Sequence, residues 1–179
     1  MDEEAELEWE REVEKNIKTF CANSNGATAI VVDGTVVRKQ KGYVMITGNW
    51  NAHGGSVSTE IYDYTNGSVR KGPDMKVARW NHASVTLPTG DVAVFGGYMQ
   101  TNKYLSSCEV FNVKSLSFSI VGFMIEKRDG PAAVLLTNGL VLIIGGVNHS
   151  GRLDSCEFYD DYVYCFYKYG INSKCKFIN

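Results

Sequence analysis

Three histidines and five cysteines are the residue types here from which a metal site or a nucleophilic dyad is most often built. A copper centre needs imidazole and phenolate ligands that converge. A Ser or Cys nucleophile needs a base within hydrogen-bond reach. His53, His82 and His149 stand far apart in the sequence, and no motif places any of them beside a nucleophile. The cysteines lack the CxxC spacing of a zinc site. No GxxxxGK[ST] run is present to cradle a phosphate. These residues predict no catalytic centre, no metal and no cofactor, which leaves binding as the expected activity.

What the chain does carry is a repeat. Gly96-Gly97 and Gly145-Gly146 lie 49 residues apart, each closing a short apolar run. Arg79 and Arg128, Ala83 and Ala132, Val85 and Val134, Leu87 and Leu136, and Gly90 and Gly139 keep that offset of 49. Beyond the diglycines the offset falls to 48, so that Ser107-Cys108-Glu109 pairs with Ser155-Cys156-Glu157. The slip lies between Gly97 and Ser107, as expected of a loop between fixed elements. A weaker copy comes first: Gly42, Val44, Ile46 and Gly48 precede Gly90, Val92, Val94 and Gly96 by 48 residues. In that copy Asn49 replaces the second glycine.

Each unit reads as four short strands. In the middle unit these are Ala83 to Leu87, Val92 to Phe95, Cys108 to Val113 and Phe118 to Val121. The second is a continuous apolar run, as expected of a strand buried on both faces. Residues Gln100 to Ser107 read as a polar loop. The first strand of the first unit falls either at Ala27 to Val32 or at Thr35 to Lys39. Such spacing with tight turns predicts antiparallel sheets. After residue 24 no stretch has a helical period.

The unit resembles the kelch repeat, whose length is about 50 residues. The residues that carry the resemblance are Arg79, His82, Gly96-Gly97, Glu109 and Phe111-Asn112. In the last unit they are Arg128, Gly130, Gly145-Gly146, Glu157 and Tyr159-Asp160. One departure is plain: the usual tryptophan of strand four is missing, with Phe118 and Phe166 the nearest aromatics. The resemblance implies an all-β, partial kelch β-propeller of about three four-stranded antiparallel blades. Repeats of about 27–76, 77–125 and 126–170 then lie within a propeller region of 23–170, followed by a tail of 171–179. Propellers close with about four to eight blades. Three leave apolar faces and sheet edges in water, so self-association or completion by further blades is expected.

Residues 1–22 form a separate acidic segment. Trp9, Val13, Ile17 and Phe20 recur at helical spacing, which predicts an amphipathic helix. It either docks a partner or covers a blade. Residues 1–16 hold eight carboxylates against Arg11 and Lys15, and the whole chain carries a formal charge of −2. That balance offers no general attraction for nucleic acid. The opening Met1-Asp2-Glu3-Glu4 is unlike a secretory signal, and no apolar run has the length of a membrane helix. Cys108 and Cys156 occupy equivalent positions, expected to be too far apart for a disulfide. A reduced, cytoplasmic protein is the expectation, and the sequons at Asn66 and Asn148 point the other way.

By resemblance, the loops after strand two form the binding face. They hold Trp50, Asn51 and His53, then Tyr98, Gln100, Asn102 and Tyr104, then Asn148, His149 and Arg152. Trp50 either meets a partner or is covered by its own blade. Arg79 and Arg128 belong to the repeat pattern, which favours a structural role, as does the position of His82. The expected function is a non-enzymatic protein-interaction module, by family analogy a scaffold, ubiquitin-ligase adaptor or cytoskeletal binder. The alternatives are a fragment of an enzyme of the galactose-oxidase or sugar-epimerase type, or a decayed copy without function.

Overall fold

The computed structural model describes residues 28–32, 43–48, 50–51, 54–63, 65–100 and 103–168. Of residues 28–32, 50, 51, 54, 165, 167 and 168 it describes the backbone alone. The expected helix of residues 1–22 and the tail of 171–179 lie outside the described residues. The described residues form strands and turns and no helix. The first four-stranded sheet contains β1 (Thr28–Val32), β2 (Tyr43–Thr47), β5 (Thr59–Asp63) and β6 (Ser68–Lys71). Between β2 and β5 the chain makes a ribbon of β3 (Trp50–Asn51) and β4 (Gly54–Gly55). The second sheet contains β7 (Ala83–Thr86), β8 (Val92–Phe95), β11 (Ser107–Asn112) and β12 (Ser117–Phe123), with the ribbon β9 (Tyr98–Met99) and β10 (Lys103–Tyr104). The third contains β13 (Ala132–Leu135), β14 (Val141–Ile144), β17 (Cys156–Asp160) and β18 (Cys165–Lys168), with the ribbon β15 (Val147–Asn148) and β16 (Gly151–Arg152).

Every pairing is antiparallel and each sheet follows chain order. The first strand of the first unit is Thr28–Val32, so Thr35 to Lys39 is not the strand that pairs with β2. The segment expected as a polar loop contains a ribbon instead. Its turn spans three residues between β9 and β10 but two between β15 and β16, which accounts for the one-residue slip in the repeat. The fourth strand of the middle unit is longer than expected, and its pairing with β11 shifts register between Cys108 and Glu109.

The hairpin turns show the repeat at backbone level. Gly67, Leu116 and Tyr164 hold the same position and all have positive φ, at 71°, 53° and 50°. Gly67 donates its N–H to Asp63 O, and Leu116 donates to Asn112 O, both at 2.9 Å. The closing residue of this turn must be left-handed, which costs glycine little and a residue with a side chain roughly 1–2 kcal/mol. Leu116 and Tyr164 are also 60% and 57% exposed, so packing returns little for that strain.

The sheets stack face to face. Met45, Ile61 and Met75 of the first unit pack against Val92, Val94, Phe111 and Phe118 of the second. Ala93, Phe95, Cys108 and Val110 turn the other way, onto Val141, Ile143, Tyr159 and Phe166. The middle sheet is therefore covered on both sides, and all four residues of β8 are 0% exposed. The first strands β1, β7 and β13 lie side by side. Phe118 and Phe166, on the fourth strands, are buried.

One buried ion pair ties each of the two later units together. Arg79 Nη1 donates to Gly96 O at 2.6 Å and Ser107 O at 3.2 Å. Its Nη2 donates to Ser107 Oγ at 3.0 Å and Glu109 Oε1 at 2.6 Å. Glu109 in turn accepts the N–H groups of Lys76 and Val77 at 2.6 and 3.0 Å. Arg128 repeats this set on Gly145 O, Ser155 and Glu157. Glu157 accepts from Ile125 and Glu126 at 2.6 and 3.0 Å. All four charged side chains are 0% exposed. A buried charge is tolerated only when its partners are present, so each clasp fixes a strand end, the next strand and the linker between sheets.

The first unit is built differently. Glu60 pairs across from Ile46, as Glu109 does from Val94, yet it is exposed. Four residues before Ala83 and Ala132 stand Arg79 and Arg128, and four before Thr28 stands Ser24, itself outside the described residues.

Two stability measurements follow. Glu109→Ala should cost about 3–5 kcal/mol in urea unfolding, because it strands a buried guanidinium. Glu60→Ala, at the same repeat position, should stay within about 0.5 kcal/mol; equal effects would remove the clasp from the account. Leu116→Gly should raise stability by roughly 1 kcal/mol, and a fall would show that the turn bears no backbone strain.

Candidate interaction face

The ribbons are placed by the glycine pairs. Gly96 and Gly97 have φ of 62° and 94°, and Gly145 and Gly146 have 64° and 89°. The space is closed as well as the conformation. A Cβ on Gly97 would stand 2.6 Å from Trp80 O, and one on Gly146 would stand 2.7 Å from Asp129 O. A Cβ on Gly96 would collide with Arg128 O. The linker backbone thus passes directly over each strand end. Gly97 N donates to Arg128 O at 2.8 Å, which joins the middle sheet to the linker that precedes the third. Each chain turned out of β2, β8 or β14 then folds into its ribbon. The first ribbon lies against the second through β4 and β9.

The second ribbon is bridged to the linker by paired hydrogen bonds between Trp80 and Tyr98, at 3.1 and 2.9 Å. Asp129 and Val147 repeat that bridge on the third ribbon. Trp80 is absent from the sequence-based candidates, although it directly follows the repeat arginine. Its counterpart in the next unit is Asp129, so the repeat pattern itself gave no cue.

These bridges bring aromatic rings into a row. Trp80 meets Tyr98 edge to face at 5.6 Å between centroids, and Tyr98 meets Tyr104 at 5.1 Å. Tyr104 meets His149 at 4.7 Å, which carries the row from the second ribbon to the third. Each such pair adds about 0.5–1.5 kcal/mol beyond its buried area, so the row is held rigidly. Trp80, Tyr98 and Tyr104 are half-buried and His149 is exposed. Gln100 and Arg152 are exposed beside them, and Asn148 is half-buried. Trp50 and Asn51 form β3, with side chains outside the described residues, as are His53 and Asn102 entirely. Of the expected loop residues, the structure therefore gathers Tyr98, Tyr104 and His149, and adds Trp80.

Beneath the row sits His82, 5% exposed, with Nε2 at 2.7 Å from Thr47 Oγ1. Burial, and then the neighbouring Arg79 charge, push its pKa from 6.5 down to about 3. It is a neutral internal strut between units. Arg79 and Arg128 are likewise consumed by their clasps, and Tyr159 is buried with its hydroxyl on Asp161. Burial raises the Cys108 thiol well above its usual range, which leaves it unreactive. Cys108 and Cys156 are free thiols. Among the described residues no group of three or more His, Cys, Asp or Glu is arranged to hold a metal ion. No described helix is long and apolar enough to cross a membrane. What the row presents is ring surface, an imidazole and flanking polar groups.

No family model matches the chain. Among curated proteins it is similar to an F-box/kelch-repeat protein of Arabidopsis thaliana, with 29% identity over 131 residues. The alignment covers 70% of this chain and 32% of that protein, so the chain spans about a third of its relative's length.

The buried imidazole makes a pH prediction. Its folded pKa of about 3 lies below its unfolded value near 6.5. The unfolded chain therefore binds the extra proton between those values. The stability is fully present above pH ~6.5 and is lost as pH falls toward 3. Between pH 7.5 and 5 the loss should be about 2 kcal/mol. His82→Gln should flatten that slope, and an unchanged slope would locate the titration elsewhere.

Proposed function

We propose that this chain is a protein-interaction module of kelch type, and that its three sheets are successive blades of an incomplete β-propeller. Several observations support the architecture. The sheets are four-stranded meanders, their first strands lie together, and each packs a face on the next. The similarity to a kelch-repeat protein agrees with that reading. Binding at the ribbon face rests on one observation, the ring row from Trp80 through Tyr98 and Tyr104 to His149. Tyrosine and tryptophan are the usual anchors of protein contacts, because they bring large area at little entropic cost. A rigid sheet stack that presents them on short ribbons is suited to recognition rather than turnover. By the same family analogy the module acts in the cytoplasm, as the substrate-recognition part of a ubiquitin-ligase assembly or as a cytoskeletal scaffold.

The test is affinity capture with the whole chain, followed by Tyr104→Ala and Tyr98→Ala. Both residues are only half-buried, so both variants should fold. Each should weaken capture of a specific partner by about tenfold or more, the loss of an interface anchor. Retention of every partner by both folded variants would place the interface elsewhere.

A further inference from the structure

The ring row restricts the shape of what can lie on it. Its three pairs are nearly perpendicular, with interplanar angles of 76°, 82° and 80°. In such a pair the edge of one ring meets the face of the next. A nucleobase stacks flat and needs an open ring face, and a sugar ring packs in the same way. The row offers corners instead, each walled by one ring's face and its neighbour's edge. Tyr104 is half-buried and His149 is exposed, so the corner between them is reached from solvent.

We infer that the ribbon face takes a proline-rich segment in the polyproline II conformation, with an acidic flank. The inference rests on the ribbon face being the interface proposed above. A pyrrolidine ring is small, puckered and apolar, a shape that enters a corner rather than lying on a platform. The polyproline II helix turns every three residues, over about 9 Å. The centroid steps of 5.1 and 4.7 Å along Tyr98, Tyr104 and His149 are each about half of that turn, so one turn of the ligand covers two steps of the row. Such a helix has no internal hydrogen bonds, and its carbonyls need donors. Gln100 and Arg152 stand exposed beside the rings. Asn148 Oδ1 accepts the Ser150 N–H at 2.8 Å, which leaves the Asn148 amide nitrogen as the end that donates. A helix formed before docking loses little entropy on a row that is itself rigid. Among the described ribbon residues the charged side chains are Lys103 and Arg152, both exposed cations. They complement an acidic flank and, being exposed, steer it more than they hold it.

Titration calorimetry of the full chain tests it, with a blocked peptide of about two aspartates followed by about ten prolines as the probe. Binding should saturate below about 1 mM. A peptide of the same length and charge, with glycine and serine in place of proline, should not bind. Tyr104→Ala should weaken the proline peptide by about tenfold or more; if that variant fails to fold, the exposed His149→Ala decides. Arg152→Glu should weaken it about threefold and leave an uncharged proline peptide unaffected. No saturation, equal binding of the glycine–serine peptide, indifference to the substitutions, or saturable binding of a linear oligosaccharide instead would overturn the inference. If Tyr104→Ala releases a captured protein while the proline peptide goes unbound, this inference falls and the ribbon face stands as the interface. If every captured protein is retained, the interface itself falls.

Discussion

A guanidinium held wholly out of water is the constraint on which the rest of the molecule depends. Arg79 and Arg128 have no exposed side-chain surface. A charge in that position is costly unless its donors meet acceptors. The acceptors come from three separate places: the carbonyl of the first glycine in the pair, the serine that opens the third strand, and the glutamate two residues on. The glutamate then holds the linker through two backbone N–H groups. Meanwhile the arginine backbone belongs to the neighbouring sheet's surroundings, with Arg79 N on Ser56 O and Arg128 O on Gly97 N. One residue thus joins two sheets, through its backbone on one side and its side chain on the other. Replacing the pair by apolar residues would leave the linker amides without acceptors, so the charge serves geometry more than net stability.

The ribbon face is a consequence of this arrangement. The linker that carries the arginine crosses the strand ends so closely that only glycine fits there. The chain leaves each strand in a left-handed turn and folds straight into a ribbon. Residues just after the arginine bridge to that ribbon, which is why Trp80 meets Tyr98. The aromatic row is therefore anchored to the same buried charges that hold the sheets. The first unit shows what happens as the pattern erodes. Ser24 stands where the arginine would, Asn49 where the second glycine would, and its glutamate is exposed.

Most of the strand framework was legible in the sequence, because strands with a buried face must alternate or run apolar, and the repeat displays the same solution more than once. Val92–Phe95 is the clearest case: its unbroken apolar run is explained by packing on both sides. The one-residue slip correctly marked a variable loop, though not that the loop is a ribbon with a longer turn. The arginines and His82 were legible as parts of the pattern, and their burial explains why a pattern exists there at all. The ring row was only half legible. Tyr98, Tyr104 and His149 sit in loops that vary between units, and their convergence depends on how sheets are set beside one another. Trp80 gave no periodic signal because its counterpart is Asp129. Trp50, Asn51, His53 and Asn102 fall where the structure describes no side chain.

The most direct measurement of the clasp is native-state hydrogen exchange at the linker amides of Lys76, Val77, Ile125 and Glu126. None lies in a strand, yet each donates to a buried glutamate. If the clasps hold the molecule together, these amides open only when a buried ion pair opens. Their protection should then fall within about tenfold of that at Val94 and Ile143 in the strand centres. Exchange at the rate of the exposed turn amides of Lys114 and Ser115 would contradict the account.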